Sequence, residues 1–365
     1  MLEQAQLAPG AGAVPVSLGP RPNGRRLSYL DARQSPCTDC PTSPCCTYLL
    51  LQTIRFETLT DVDHAVYLLN FEGIILGLHP DGHAQVYLYQ PCGNLDVPSG
   101  LCRVHGTPEQ PSICVHYNAH SCGYRHSMID DTHPGSPLMD RRRMAWYADR
   151  LAFDDDRKVV TGPPWEEVLD AFRSMPVDRR PAPPPPPDPV REEWRSIVLA
   201  QKAPTSRAEE LHRFSEPVVS DPCRGCDAYC CKTLVFPRPR PENASQVDMF
   251  RYCLGFPGVE IGVSDDGWAV LVRTTCRHLE ANRCSVYGTE ERPLKCGYYD
   301  AMKCTYKKHF GTPEPESIAR VTRDQFDVLA GLIQFDDLGE VRAFAPLDVL
   351  KDFLGQVERA RSQRR

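Results

Sequence analysis

Sixteen of the seventeen cysteines in this 365-residue chain form two sets of eight with nearly the same spacing. Each set begins with a C-x-x-C pair, continues with two adjacent cysteines and ends with four single ones. The N-terminal set is Cys37, Cys40, Cys45, Cys46, Cys92, Cys102, Cys114 and Cys122. The C-terminal set is Cys223, Cys226, Cys230, Cys231, Cys276, Cys284, Cys296 and Cys304. A constant offset of 182 residues relates the last three positions of the two sets.

The similarity between the two parts of the chain extends beyond cysteine. The segment from Cys102 to Cys114 aligns with that from Cys284 to Cys296, and both contain Val, Gly-Thr and Glu at matching places. Upstream, the aligned residues are Val62, Asp63, Tyr67, Leu69, Phe71 and Gly73 with Val247, Asp248, Tyr252, Leu254, Phe256 and Gly258. A repeat of this length indicates the duplication of one domain.

We predict an α+β fold made of two tandem small metal-stabilised modules. Each module should contain a helix, a β-hairpin, irregular cysteine loops and C-terminal helices. The predicted boundaries are a disordered N-terminal segment over 1–33, module 1 over 34–176, a linker over 177–219 and module 2 over 220–360. The linker contains Pro-Ala-Pro-Pro-Pro-Pro-Pro-Asp-Pro, which favours extended polyproline, and a short helix is predicted over 190–202.

The hydrophobic pattern places the first helix of each module at 61–70 and 245–254, with Thr60 as an N-cap and Asp63 at its third position. Asp81-Gly82 and Asp266-Gly267 are typical hairpin turns between alternating apolar segments. The closing helices are predicted over 138–151, 165–174, 323–335 and 347–359. We expect Arg141-Arg142-Arg143 to form a solvated face of its helix.

The cysteine pattern favours thiolate-ligated metal. Two cysteines separated by two residues on a tight turn can point both sulfurs at one ion, and a tetrahedral site needs about four sulfurs at ~2.3 Å. Adjacent side chains diverge, so we expect Cys45 and Cys46 to serve different sites, and likewise Cys230 and Cys231. Eight ligands then divide as four plus four, and one polynuclear cluster that uses all eight is the alternative.

Histidine is not a shared ligand, because no histidine of one module aligns with a histidine of the other. The aligned pairs are His64 with Met249, His83 with Trp268, His105 with Tyr287, His116 with Tyr298, and His120 with Met302. All-sulfur ligation favours zinc, copper(I) or an iron–sulfur cluster over calcium or magnesium. The seventeenth cysteine, Cys253, aligns with Leu68 and is expected to be a small buried apolar residue.

Bulk properties narrow the compartment and the partners. No basic start followed by an apolar stretch is present, so we expect a reducing cytoplasm, where metal is a more common role for cysteine than disulfide. A net charge of −6 argues against a nucleic-acid partner, and no run approaches the ~18 apolar residues of a membrane span. Thioredoxin-like redox chemistry lacks the surrounding βαβ pattern.

The cysteine pattern resembles the bacterial YkgJ-type cysteine-cluster family, a putative zinc- or iron-chelating family with the signature CxxCxxxxCC. The residues from Cys37 to Cys46 have that signature, and Cys284 to Cys296 is similar to a later family segment that contains Tyr and Arg-Pro. The C-terminal set departs from it, with three residues between Cys226 and Cys230, and the N-terminal set has Gln110-Pro111 where the other has Arg292-Pro293. The resemblance implies metal binding. A flagellin lysine methylase with a similar motif further suggests an iron–sulfur cluster.

Three functional hypotheses follow. The first is a cytosolic metal-binding protein with iron–sulfur or zinc centres in both modules, iron–sulfur being favoured. The second is a redox or peptide- or protein-modifying enzyme, similar to a methyltransferase relative, although no nucleotide-binding, hydrolase or radical motif accompanies the cysteines. The third is a zinc-stabilised scaffold that binds a protein or peptide partner. In each case the two modules could pack as an internal pseudo-dimer.

Overall fold

The computed structural model describes residues 28–37, 40, 43–124, 128, 130–181, 228–265, 267–298 and 318–362. We refer to the described residues up to 181 as the N-terminal half and to those from 228 as the C-terminal half. Each half contains a four-stranded antiparallel sheet, a helix that precedes the central hairpin, and shorter elements around the cysteines. The expectation of helices combined with small antiparallel sheets is therefore confirmed.

The sheet of the N-terminal half is built around the predicted hairpin. Its strands are β1 (Tyr48–Arg55), β2 (Ile74–Leu78), β3 (His83–Tyr89) and β6 (Leu138–Met139). Their order is β1-β3-β2-β6, and every neighbouring pair is antiparallel. Gly82, at the β2–β3 turn, has a φ of 81°, a conformation that glycine adopts without a steric cost.

The sheet of the C-terminal half has the same order. Its strands are β9 (Thr233–Arg238), β10 (Val259–Ser264), β11 (Trp268–Arg273) and β14 (Ile318–Val321), arranged β9-β11-β10-β14. Strands β10 and β11 are rich in Val and other apolar residues, as suits two strands that are buried along nearly their whole length. The edge strands of both sheets were not predicted.

The two helices before the hairpins are α2 (Leu59–Leu68) and α6 (Ala244–Leu254). The predicted N-cap of the first was wrong. Thr58, not Thr60, caps α2, and Asp61 completes a capping box in which each side chain binds the other residue's backbone amide. This leaves Asp63 free for another role. Asn243 caps α6 through the amide of Gln246.

The predicted closing helices are only partly helical. The 138–151 segment begins with strand β6 and forms helix α4 only over Arg141–Ala148, with Asp140 as its N-cap. The 323–335 segment is a 3-10 turn (Arg323–Gln325), a short helix α8 (Phe326–Gly331) and strand β15 (Ile333–Phe335). Ile333 and Phe335 favour strand at the second end, whereas Leu138–Met139 is a strand because it pairs with β2. The predictions for α5 (Trp165–Ser174) and α9 (Leu347–Ser362) hold.

The remaining elements are short. They are α1 (Tyr29–Ala32), α3 (Ser112–Val115), α7 (Leu294–Gly297), β4 (Leu95–Asp96), β5 (Leu101–Cys102), β7 (Ala152–Phe153), β8 (Val159–Thr161), β12 (Leu279–Glu280), β13 (Arg283–Cys284) and β16 (Val341–Phe344). Three further 3-10 turns occupy Pro44–Cys46, Ala119–Ser121 and Tyr229–Cys231. Most of these elements carry or flank cysteines.

A contiguous cluster of buried apolar side chains includes residues of both halves. Phe71 and Phe256, which are aligned in the repeat, are 2% and 1% exposed within it. Each fully buried side chain of this size contributes roughly 1.5–3 kcal/mol relative to exposure. The two halves therefore share part of their core.

The prediction of a solvated arginine face on α4 is wrong for Arg143, which is 0% exposed. Its guanidinium donates to the backbone carbonyls of Met175, Asp131, Leu138 and Phe172. A buried arginine is tolerated when its N–H groups find such acceptors. Arg141 and Arg142 are exposed as expected.

Several predictions fall outside the described residues. These are most of the 1–33 segment, the linker from residue 182 onwards with its 190–202 helix, and Cys223, Cys226 and Cys304. Within 28–33, where no regular structure was expected, Ser28 and Asp31 form a capping box at the start of the one-turn helix α1. No helix in the described part of the chain is long and apolar enough to cross a membrane.

Candidate metal centres

The N-terminal set is assembled around the adjacent pair Cys45 and Cys46. They lie in the Pro44–Cys46 turn, which follows Ser43 with a φ of 41° and leads directly into β1. The Cys92 amide donates to the Cys46 carbonyl at 2.7 Å, so the end of β3 is held against this turn.

The C-terminal set repeats this arrangement. Cys230 and Cys231 lie in the Tyr229–Cys231 turn after Ala228, which has a φ of 55°. The Cys276 amide donates to the Cys231 carbonyl, again at 2.7 Å. Cys102 and Cys284 occupy equivalent strands, β5 and β13, and Cys114 and Cys296 occupy equivalent short helices, α3 and α7.

In each set, four thiols have shifted pKa values, and a fifth thiol lies close enough to contribute to those shifts. In the N-terminal set they are Cys45, Cys46, Cys92, Cys102 and Cys114. In the C-terminal set they are Cys230, Cys231, Cys276, Cys284 and Cys296. The structure thus brings ten of the sixteen predicted ligands into two equivalent neighbourhoods.

The adjacent sulfur atoms do not diverge as expected. The Sγ atoms of Cys230 and Cys231 are 4.0 Å apart. Two ligands of a tetrahedral ion with 2.3 Å bonds are separated by about 3.8 Å, so this spacing is compatible with one shared ion. The expectation that adjacent cysteines serve different sites stays a prediction for this pair.

Thiol–thiol hydrogen bonds split the pKa values of the adjacent pairs. The bond from Cys46 lowers the pKa of Cys45 to about 7, and the pKa of Cys46 is raised well above its usual range. In the other set, bonds from Cys231 lower the pKa of both Cys230 and Cys276 to about 7 and raise that of Cys231 itself. Hydrogen bonds from a neighbouring thiol thus favour the thiolate form of Cys45 in one set, and of Cys230 and Cys276 in the other.

The thiols on the two short helices are held in apolar surroundings. Burial raises the pKa of Cys114 and of Cys296 to about 12, and the charges of neighbouring thiols add to the effect. Burial also raises the pKa of Cys92. Without a cation to replace their protons, these three thiols stay neutral at physiological pH.

The other described cysteines are not among the causes that shift the pKa values of these thiols. The Cys40 amide donates to the Cys37 carbonyl at 3.2 Å, so this pair forms the predicted tight turn, but no contact between described residues links either to Cys45. Cys122 is buried and accepts a hydrogen bond from the Tyr117 hydroxyl at 3.5 Å. Cys253 is buried in the apolar core, as expected.

No group of three or more Cys, His, Asp or Glu side chains within the described ranges has a geometry that would hold a metal ion. The fourteen described cysteines are all free thiols. The donor type, the burial and the one sulfur–sulfur separation fit a thiolate centre, whereas a complete ligand cage is not formed by the described side chains.

Arg292 adds a cation to the C-terminal set. Its charge is a minor cause of the lowered pKa of Cys230 and opposes the rise that burial causes in the pKa of Cys296. Its guanidinium carbon lies 4.2 Å from the centre of the Tyr287 ring, and no described residue accepts from its buried Nε–H. At the aligned position in the N-terminal set, the side-chain oxygen of Gln110 accepts from the Gly106 backbone amide at 2.7 Å. A buried N–H without a partner is costly, so the orphaned donor fits an anionic group beside these thiols.

The two halves reach across to each other's cysteine helices. The Asp63 carboxylate of α2 accepts from the amides of Leu294 and Lys295, both at 2.9 Å, at the start of α7. Reciprocally, the Asp248 carboxylate of α6 accepts from the Ser112 amide at the start of α3. Sequence analysis placed Asp63 in a local cap and missed this role. The signal that could have found it is the recurrence of Asp63 and Asp248 in both halves.

Two tyrosines make a second pair of reciprocal contacts. The Tyr252 hydroxyl donates to the Cys45 carbonyl at 2.8 Å, and the Tyr67 hydroxyl donates to the Cys230 carbonyl at 3.4 Å. The Gly93 amide also donates to the Gly255 carbonyl at 2.7 Å, and the backbone amide of Arg277 donates to the backbone carbonyl of Asn70 at 2.9 Å. Each adjacent-cysteine turn is therefore held partly by a helix of the opposite half.

His64 takes no part in the thiol clusters. Its Nδ1 is 2.8 Å from the Lys295 ammonium and its Nε2 is 3.0 Å from the Gln52 amide nitrogen. Burial, with the Lys295 charge as a smaller cause, lowers the pKa of His64 to about 4. The neutral imidazole accepts from lysine, which agrees with the absence of histidine at the aligned position.

Comparison of the chain with protein-family models, with curated proteins and with solved structures gave no match. The site is therefore interpreted from its own residues. Its defining features are two buried thiol clusters, a guanidinium beside one of them, and helices that support the cluster of the opposite half.

Proposed function

We propose that this chain binds metal through both cysteine sets, with an iron–sulfur cluster favoured over zinc in each. The observation that carries the proposal is the gathering of five thiols around each adjacent-cysteine turn, close enough for neighbouring thiols to shift pKa values within the group. Thiols crowded in this way either retain protons at raised pKa values or exchange them for a cation, which is the chemistry of a soft metal site. The C-x-x-C pairs would supply further sulfurs.

The preference for iron–sulfur over zinc rests on charge. A cluster with several thiolates carries net negative charge, and hydrogen bonds to its sulfur atoms are a usual part of its environment. The orphaned Nε–H of Arg292 is suited to that role in the C-terminal set. The resemblance to the YkgJ-type cysteine-cluster family, including its Arg-Pro segment, supports the same choice.

The proposal includes an internal pseudo-dimer of the two modules and a reducing, cytoplasmic location that keeps the thiols free. The reciprocal contacts of Asp63 and Asp248, and of Tyr67 and Tyr252, support the pseudo-dimer because each half binds the other by the same aligned residues. Closed two-fold arrangements use one surface twice, and a fused repeat can reproduce that arrangement within one chain.

The test is to purify the full chain without oxygen, record its visible spectrum, and measure iron, zinc and acid-labile sulfide. A coloured protein with iron and sulfide in similar amounts supports iron–sulfur centres, and a colourless one with stoichiometric zinc supports zinc. A folded chain without either metal would refute the proposal.

Matched variants assign the metal to each set. Cys46→Ser should lower the metal content of the N-terminal set and leave that of the C-terminal set unchanged. Cys231→Ser should lower the metal content of the C-terminal set alone. Cys253→Ala is the control, because it removes a buried thiol that lies outside both clusters. Unchanged metal content in the double variant C46S/C231S would show that the metal is held elsewhere.

A further inference from the structure

A cleft of about 710 Å³ opens beside the contact between the two halves. Its walls are the 69–75 segment that leads into β2, the start of α4, the 176–181 segment, and Arg277 of the C-terminal half. This volume is within the range of small-molecule sites, roughly 300–1,000 Å³. Five arginines line it, against three carboxylates.

Two of the three carboxylates are already engaged. Asp140 accepts from the backbone amides of Arg143 and Asp178 at 3.0 and 2.9 Å. Asp178 in turn holds the Arg180 guanidinium, with Nε at 2.9 and 3.1 Å from its two oxygens. Arg179 is occupied by the Tyr48 hydroxyl and the Asp131 carboxylate. The remaining carboxylate, Glu72, acts electrostatically on Arg180.

Two arginines of the cleft keep their donors available. Among the described residues, neither Arg141 nor Arg277 has a hydrogen-bond or ion-pair partner for its guanidinium, and both side chains are exposed. One comes from the first turn of α4 and the other follows Cys276 directly. They therefore face one cleft from opposite halves of the chain.

The repeat provides an internal comparison. Arg323 lies 182 residues after Arg141, and its guanidinium donates to the Asn94 side chain. Asn94 stands two residues after Cys92, the place that His278 occupies after Cys276. Gly93, beside Asn94, is packed so closely against Arg323 that a Cβ there would lie 2.8 Å from its Nη1. After Cys276, Arg277 stands at the place that Gly93 occupies after Cys92. Arg141 therefore lacks the acceptor that Arg323 finds in Asn94, and it has a second cation nearby.

We propose that this cleft binds a small polyvalent oxyanion, held between the guanidinium groups of Arg141 and Arg277. Guanidinium groups bind phosphate and carboxylate oxygens in pairs, and such charge-assisted bonds are the stronger class of hydrogen bond. An anion there supplies the acceptor that Asn94 provides to Arg323.

The test is calorimetric titration of the full chain with inorganic pyrophosphate and, separately, with citrate, at an ionic strength of about 0.15 M to screen exposed charges. Saturable binding of at least one probe is expected. Pyrophosphate alone would indicate a phosphate ligand, citrate alone a carboxylate ligand, and each outcome supports the site.

Substitution links the binding to the two arginines. Arg141→Gln and Arg277→Gln should each raise the Kd at least about tenfold, the effect of one lost charge-assisted hydrogen bond. Arg173→Gln is the matched control, since it removes the same charge from exposed α5 outside the cleft. Failure of both probes to bind below about 10 mM, or an unchanged Kd in the two variants, would overturn the proposal. Both arginines are exposed, so thermal unfolding near that of the wild type should confirm that the variants fold.

Discussion

Asp63 provides the sharpest test of the reciprocal support between the halves. Its carboxylate accepts two backbone N–H bonds of 2.9 Å from α7, although it belongs to α2 and lies 231 residues away from Leu294. A hydrogen bond to a charged group contributes about 1.5–3 kcal/mol, and the two donors would be left at a helix start that water partly reaches. We therefore expect Asp63→Ala to destabilise the C-terminal set locally by about 3 kcal/mol.

The assay is the alkylation rate of individual cysteines, measured by a short iodoacetamide pulse and mass spectrometry. If Cys296 reacts through local opening, a loss of about 3 kcal/mol raises its labelling rate about a hundredfold. Cys114, on the equivalent helix of the N-terminal half, should change little, because its own helix is held by Asp248. Asp248→Ala should have the opposite pattern, with faster labelling of Cys114 and little change at Cys296.

Asp61→Ala is the matched control. It removes a carboxylate from the same helix, two residues earlier, where the carboxylate binds only the Thr58 amide and hydroxyl. Loss of that cap should cost about 1 kcal/mol and should not expose Cys296 preferentially. Faster labelling of Cys114 than of Cys296 in Asp63→Ala, or the same pattern in Asp61→Ala, would refute the reasoning.

Three further predictions concern stability. His64 has a pKa of about 4 in the fold and titrates near 6.5 in the unfolded chain. Because the unfolded chain binds the extra proton, the free energy of unfolding should fall by about 3 kcal/mol as the pH is lowered from 6.5 to 4. Urea unfolding should show a smaller pH-dependent loss in His64→Gln. Gly255→Ala places a Cβ 3.1 Å from the Cys92 sulfur and 3.0 Å from the Tyr252 carbonyl oxygen, so it should lower the melting temperature and speed Cys92 alkylation. Gly331→Ala, which adds a Cβ in open space, should have neither effect. Arg143→Met should cost about 3–5 kcal/mol in chemical denaturation because it leaves several buried carbonyls without donors, and a loss below 1 kcal/mol would contradict that role.

Local patterns in the sequence predicted the central elements well. The α2 and α6 helices, the β2–β3 hairpin at Gly82 and α5 were found because each depends on a periodic apolar pattern or on turn residues within about ten positions. The edge strands β6 and β14 were missed or taken for helix, since a two- to four-residue strand is defined by its partner and not by its own composition.

The candidate site was only partly predictable for the same reason. Cysteine spacing identified the sets, but not the close approach of the Cys230 and Cys231 sulfurs, which depends on the turn after Ala228. Alignment of the halves singled out Asp63 and Tyr67, yet nothing local indicates that they act on the other half. Arg143 was assigned to solvent because its acceptors are backbone carbonyls, which leave no trace in the sequence.

The reciprocal support of the cysteine helices has a consequence for synthesis on the ribosome. While the N-terminal half emerges, Asp248, Tyr252 and Gly255 are not yet made, so α3 and the Cys45 carbonyl lack partners and Cys92 lacks its packing surface. The nascent half therefore presents reactive thiols for as long as translation of the following hundred or so residues takes, at ~5–20 residues per second. The N-terminal cysteine helix and the Cys45 turn therefore gain their partners only after the C-terminal half has been made, and their thiols are open to oxidation until then.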